Sequence, residues 1–280
     1  MTVTEQFAPI RRILVALDAS RASEDALKAA AAMAAHLEAE IEGLYVEDIN
    51  LVRLAGLPFS REVGLASARS RRVMSEDISR ALRAEAGRVR RALEAIAARS
   101  RLRCSFRVVR GQVAAELLAA ATDADLVALA TASVEVRRTG LGSTTRAMLA
   151  SSVRALLILP PREAALGAIA VMYDGSARAG QALALAGQVA HATSDVRVLL
   201  LADDAEQEQR LRAQVTKALG EYGARATFEW VVEVDAEQLA RRVRERRVDM
   251  LMLAEDCPGL GRGGVQRLLE QIDCAVVLLR

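Results

Sequence analysis

The sequence predicts an α/β protein built as two tandem open, mainly parallel five-stranded sheets with helices on both faces. Three observations predict it. Short apolar runs of strand length alternate with stretches of helical periodicity. The runs are continuously apolar rather than alternating, which suits strands buried on both faces of a parallel sheet. The opening pattern also returns: Ile13, Val15, Asp18, Ser20, Ala26 and Leu27 recur as Ile169, Val171, Asp174, Ser176, Ala182 and Leu183, at a constant offset (174 − 18 = 156; 183 − 27 = 156). Repetition at domain length implies duplication of one fold, and 280 residues is the length of about two ordinary domains.

In the first half, Ile13 to Leu17 reads as a strand ended by Asp18-Ala19-Ser20. Ser23, followed by Glu24 and Asp25, starts a helix, since acids favour the first turn. That helix runs through Leu27, Ala30, Met33, Ala34 and Leu37, and Glu40 to Val46 is the next strand. Strand, helix and strand within about 35 residues is the size of a right-handed parallel crossover unit. Residues 50–75 are irregular and basic, broken by Gly56-Leu57-Pro58 and carrying Arg61, Arg69, Arg71 and Arg72; they read as an insertion, loop plus short helix. From Glu76, apolar residues at 78, 82, 86, 89, 93 and 96 fall at three- and four-residue steps, the stripe of a packed helix. Arg103 to Val109 alternates as a strand does, Val113 to Ala121 is helical, and strands follow at Leu126–Ala130 and Ala155–Leu159. Pro160-Pro161 stops the last strand, because proline donates no ladder hydrogen bond. It marks a boundary between domains 1–160 and 161–280.

The second half continues with a strand (Val196–Leu201), a helix (Ala205–Tyr222) and a long strand (Ala226–Val234). A helix follows with Leu239 and Val243 inward and Arg241, Arg242, Arg244, Arg246 and Arg247 largely outward. A strand (Val248–Leu253), a helix (Val265–Ile272) and a strand (Ala275–Leu279) close it. The final strand sits at an offset of 279 − 159 = 120, so this half is shorter by 156 − 120 = 36 residues. The place for the difference is the basic insertion and part of the helix after it.

Hydrophobic residues make up 52% of the chain and aromatics only 3%, so the cores rest on Val, Leu and Ile, with Ala at close helix contacts. A net charge of +2 does not suit a protein held on nucleic acid by bulk charge. Cys104, Cys257 and Cys274 are scattered without ligand spacing, which argues against a disulfide framework and against zinc. Residues 1–12 lack the apolar core of a secretory signal, and no apolar run approaches the ~18 residues of a transmembrane helix. The expectation is a cytoplasmic protein without membrane or nucleic-acid partners.

The chemistry concentrates between Ala128 and Leu159. The run Leu126–Ala130 breaks at Thr131-Ala132-Ser133, and Gly140-Leu141-Gly142-Ser143-Thr144-Thr145 then leads into a helix. Gly142 lets a bound group approach the backbone, and Ser143 and Thr144 are good cap types. Free N–H groups and the positive end of the macrodipole favour a phosphate there; the same triplet can also do no more than start a helix. Asp18 and Asp174 are either site residues or turn-formers that cap the next helix. Arg137 and Arg138 either reach phosphate oxygens or face water, as short charge runs do. His36 and His191 have no nucleophile or carboxylate beside them and suit surface or packing roles. Cys104 and Cys274 suit core positions, and Cys257, before Pro258, is the cysteine to test for reactivity.

On these residues the chain resembles the universal stress protein family in its tandem, two-domain form, over nearly the whole length. The resemblance rests on Leu17-Asp18-Ala19-Ser20, on Tyr173-Asp174-Gly175-Ser176, and on Gly142-Ser143-Thr144 ahead of a helix and a closing apolar strand. It implies a Rossmann-like, adenine-nucleotide alpha-hydrolase-like fold with its ligand at the carboxyl ends of the strands. It implies a stress-response protein that binds an adenine nucleotide, ATP, as a signal rather than a fuel. No catalytic residue is implied, and Mg2+ would enter only through the phosphates. The implied contact residues are Asp18, beside the adenosine, with Ala16, Val46, Ala130, Ser133, Gly142, Ser143 and Thr144. The family's nucleotide binders carry Gly-x-x-Gly after the fourth strand; here Ala130 and Ser133 stand near those places. In the second half Ala254 and Cys257 stand there, and Arg262-Gly263-Gly264 replaces Gly-Ser, which implies weak binding or none. The alternative reading is a scaffold that binds no nucleotide and acts through protein contacts. An adenylating ATP-pyrophosphatase ranks last, because its Ser-Gly-Gly-x-Asp-Ser loop is replaced by Asp18-Ala19-Ser20-Arg21. The family also implies a pseudo-dimer of the two domains through their last strands, apolar edges of the kind that recruit a partner strand, and a homodimer of whole chains.

Overall fold

A computed structural model describes residues 9–55, 61–63, 70–72, 75–131, 140–151, 153–160, 167–190, 195–220 and 226–280. The first half contains β1 (Arg12–Leu17), α1 (Arg21–Leu37), β2 (Glu40–Asp48), α2 (Ile49–Ala55), β3 (Arg61–Val63), β4 (Ser70–Arg72), α3 (Ser75–Ser100), β5 (Cys104–Gly111), α4 (Val113–Ala121), β6 (Leu126–Ala130), α5 (Ser143–Ala150) and β7 (Ala155–Leu159). The second contains β8 (Ala168–Tyr173), α6 (Ala177–Val189), β9 (Asp195–Leu201), α7 (Ala205–Leu219), β10 (Thr227–Val231), α8 (Ala236–Glu245), β11 (Met250–Ala254), α9 (Gly261–Gln271) and β12 (Ala275–Leu279).

Ten strands form one sheet in the order β10-β9-β8-β11-β12-β7-β6-β1-β2-β5. Counted outward from the middle, each half lays its strands down in the same order: fifth, fourth, first, second, third. Neighbours within a half are parallel. The two closing strands, β7 and β12, pair antiparallel, with Leu157 opposite Val277. The two five-stranded sheets expected from the sequence join edge to edge through these strands into one continuous sheet. The reason is that β7 and β12 are buried at every residue, so neither could face water as an edge. The antiparallel sense is the one a two-fold relation between equal units requires.

Helices cover both faces. One core holds the inner sides of α1, α3, α6 and α7, the other those of α4, α5, α8 and α9, and each core runs through both halves. The inner side of α1 is mostly alanine (Ala26, Ala29, Ala30, Ala31, Ala34), which lets it lie close to the sheet with little side-chain entropy lost. Its start is capped by Ser20 and its end by Glu38 at φ 52.

Several details depart from the expectations. The insertion holds α2 and a hairpin of β3 and β4, more order than a loop with one short helix. Its absence explains most of the shorter half: 26 residues (49–74) lie between β2 and α3, against three (202–204) between β9 and α7, a difference of 26 − 3 = 23; the shorter helix α7, 15 residues against 26 in α3, accounts for a further 26 − 15 = 11. The strand β10 stops at Val231, because the chain turns out to solvent at Val232, which is 54% exposed. Helix α7 ends at Leu219, before Gly220 at φ 55. Cys104, expected in the core, is exposed because β5 is an edge strand. No helix among the described residues is long and apolar enough to cross a membrane.

Candidate functional site

Strands β1 and β6 are neighbours, but the chain leaves them in opposite directions. After β1 it enters α1 on one face; after β6 it enters α5 on the other. At such a switch point the connections diverge and leave a crevice beyond the carboxyl ends of the strands, the usual place for a ligand in an open α/β sheet. A cleft of about 1020 Å³ lies there. Asp18, Ala16, Val46, Ala130, Gly142, Ser143 and Thr144, all singled out from the sequence, line it. Ser133, Arg137, Arg138 and His191 lie outside the described residues.

The wall of the cleft is built by local rules. Asp18 Oδ1 accepts the Ser20 N–H at 2.8 Å, a turn that reverses the chain out of β1. Ser20 Oγ then accepts the Ser23 N–H at 3.1 Å and caps α1. Ser23 Oγ accepts the Asp18 N–H at 2.9 Å and closes the turn. Across the cleft, Gly142 is the N-cap of α5 and offers no side-chain oxygen to the first N–H groups of that helix. Leu141 is buried and anchors the chain just before the cap. Gly140 at φ 100 makes the turn that leads there, a conformation L side chains rarely adopt. A Cβ built on Gly142 would meet no heavy atom within 4 Å. The apolar part of the wall comes from Leu44, Val46, Leu117 and Leu129.

Other lining residues carried no functional assignment from the sequence. Arg21, Asp25 and Lys28 reach the cleft from α1. They stand at i, i+4 and i+7, a polar stripe on an alanine-rich helix face, and that spacing was the signal available. Lys28 Nζ lies 3.0 Å from Asp25 Oδ1, and the Asp25 side chain is only 10% exposed. Thr131, just past the first expected glycine place, is buried; its N–H and hydroxyl both donate to Leu159 O, at 2.7 and 3.1 Å. His36 is not in the cleft; its Nδ1 lies 2.6 Å from Ala32 O on the same helix.

The same motif in the second half meets a different environment. Asp174 Oδ1 accepts the Ser176 N–H at 2.9 Å, and Ser176 Oγ accepts the Ala179 N–H at 3.2 Å, as in the first half. The space between Tyr173, Asp174, Ala179, Ala254 and Cys257 does not admit a water-sized sphere. The connection after β11 is short, residues 255–260 against 131–142 after β6, and it folds Cys257 and Leu260 inward. Arg178 and Asp256 pair across its mouth. Burial, helped by Asp174 and Asp256, pushes the Cys257 thiol up to about 12. That corrects the expectation of a candidate reactive cysteine, since the thiolate is the nucleophile.

The arginines of α8 are partly tied down. Arg242 pairs with Glu229, Arg246 lies 3.7 Å from the same carboxylate, and Arg244 Nη1 donates to Gln271 O at 3.1 Å.

The family model described as "Universal stress protein family" matches residues 9–160, more than half of the chain. The fold is similar to a solved universal stress protein from Archaeoglobus fulgidus DSM 4304, with TM-score 0.71 and 16% identity, covering 96% of this chain and 96% of that one. It is also similar to a functionally unknown protein from Pseudomonas aeruginosa PAO1, with TM-score 0.55 and 16% identity, covering 99% of this chain and 93% of that one. A search of curated proteins found no match.

Proposed function

The chain belongs to the universal stress protein family, and on that premise we propose that it is a stress-response regulator that binds one adenine nucleotide, ATP, in the cleft between β1 and β6. The observation that carries the proposal is an asymmetry. Two copies of one fold share the same Asp-x-Ser turn, yet one has a cleft of about 1020 Å³ ending at an uncapped helix start and the other is filled by its own loop. The open cleft has the size of a small-molecule pocket. Asp18, Ala16 and Val46 would hold the adenosine end. The phosphates would lie at the N-terminus of α5 over Gly142, Ser143 and Thr144, where the helix dipole and free N–H groups favour negative charge. Lys28 and Arg21 add positive charge along the same opening.

ATP acts here as a signal whose bound state is read, not as a fuel. Asp18 and Asp25 are engaged in a turn and an ion pair, and no histidine lines the cleft among the described residues, so no group is assigned as a base for water. The continuous β7–β12 pairing supports a pseudo-dimer in the cytoplasm, with one half binding and the other supporting it. A second reading, a scaffold without nucleotide, draws on Ala130 standing near the place of the family's first glycine. Isothermal titration of the full chain with ATP decides between them: single-site binding supports the regulator, and no heat of binding supports the scaffold.

A further inference from the structure

Helix α5 carries Gly142, Ser143 and Thr144 to the cleft, and it has only eight residues. A helix of two turns is not self-supporting, and the carbonyls at its end need donors. The pairing of β7 with β12 supplies them. Because the strands run antiparallel, the residue after β12 lands where α5 gives way to β7. The Arg280 N–H donates to Arg154 O at 3.1 Å. The guanidinium then turns under the helix end: Nη1 donates to Met148 O at 3.0 Å and to Ser151 Oγ at 3.3 Å, and also to Ser151 O, while Nη2 donates to Leu149 O. Its side chain is 7% exposed, and Glu255 Oε2 lies 3.4 Å from Nε. Glu255 follows β11 as Thr131 follows β6: each N–H donates to the end of the neighbouring closing strand, Leu279 O at 2.8 Å and Leu159 O at 2.7 Å. At the other end of α5, a Cβ built on Gly140 would come 3.5 Å from Glu270 Oε1 of α9. The second half therefore holds the end of the helix and lies beside the turn at Gly140 that leads into it.

The matching place in the other closing strand differs in residue type. The place matching Arg280 after β7 is Pro160, which has no side-chain donor. At the end of α9, Gln271 O accepts from Arg244 Nη1 of the same half at 3.1 Å.

We infer that Arg280 is a positioning residue: through it, oriented by Glu255, the second half holds α5 and so sets the phosphate end of the cleft. This rests on the nucleotide reading above. The test uses the full chain carrying Arg280→Gln or, separately, Glu255→Gln, titrated with ATP at a temperature where each is folded, with amide hydrogen exchange measured without nucleotide. Arg280→Gln should weaken ATP binding by about fivefold or more, the ordinary size of a coupling between sites. It should also speed exchange in residues 143–150 while residues 261–271 keep wild-type rates. Glu255→Gln should give the same pattern more weakly. A variant that only melts earlier, with wild-type affinity and wild-type exchange in α5, makes Arg280 a structural residue and overturns the inference. If Arg280→Gln does not fold, unchanged affinity and exchange in Glu255→Gln overturn it alone. If the wild-type chain binds no ATP, the nucleotide reading fails and takes this inference with it; if the wild type binds and both variants bind equally well, only this inference fails.

Discussion

Gly142→Val should weaken nucleotide binding by about ten- to a hundredfold and leave the protein folded. Gly142 has φ −57 and ψ 155, open to any residue, and a Cβ there meets nothing within 4 Å. The protein alone therefore loses only the preference for glycine over valine at an N-cap, at most about 1 kcal/mol. For a chain of this size that lowers the melting midpoint by about 2–4 °C. With ATP the same open space is where a phosphate meets the first N–H groups of α5. Hydrogen bonds to a charged group are worth roughly 1.5–3 kcal/mol, so pushing the phosphate away costs on the order of ten- to a hundredfold in Kd. Calorimetry gives the affinity. Melting with and without ATP at about a hundred times the wild-type Kd gives a second reading, since ligand stabilisation of about 2.7 kcal/mol in the wild type should fall to roughly 0.4–1.4 kcal/mol in the variant. A variant that binds ATP as the wild type does refutes the placement of the phosphate.

Three further outcomes follow from the packing. Iodoacetamide at pH 8 should label exposed Cys104 well before Cys257, whose thiol burial pushes up to about 12; peptide mass spectrometry showing Cys257 labelled first contradicts the closed second cleft. Folding raises the Cys257 value above that of the unfolded chain, so its contribution to stability is complete below about pH 9 and is lost as pH rises toward about 12. Tyr45, raised by burial and by its hydrogen bond to Glu85, acts in the same direction, and urea midpoints that do not fall above pH 9 would be inconsistent with both. Ile158→Lys places an ammonium at a position 2% exposed and opposite Val276; the lost burial of roughly 2–3 kcal/mol, with the cost of desolvating the charge, should open the β7–β12 junction and lengthen the particle in small-angle scattering, whereas an unchanged radius of gyration would mean the junction does not hold the halves together.

The strands were legible because burial on both faces leaves a simple mark, an unbroken apolar run, as at β1, β7 and β12. The Asp-x-Ser turns were legible because the motif is local: its hydrogen bonds span two or three residues. What lies between distant segments was not. Arg280 reads as one more surface arginine until the antiparallel junction carries it under α5. Cys104 reads as a core residue of a strand until β5 is known to be the outermost strand. The closing of the second cleft depends on how a six-residue connection (255–260) folds Cys257 and Leu260 inward, which the absence of Gly-Ser suggests only in part. The stripe Arg21-Asp25-Lys28 shows the opposite case: its spacing was visible, but its meaning came only from the cleft beside it.

The central claim, one open nucleotide site in a duplicated fold, is tested most directly by native mass spectrometry of the full chain titrated with ATP. The account predicts a single bound nucleotide per chain at saturation, reached in Gly142→Val only at about ten- to a hundredfold higher ATP. Two nucleotides per chain, or none at any concentration that saturates an ordinary site, would contradict it.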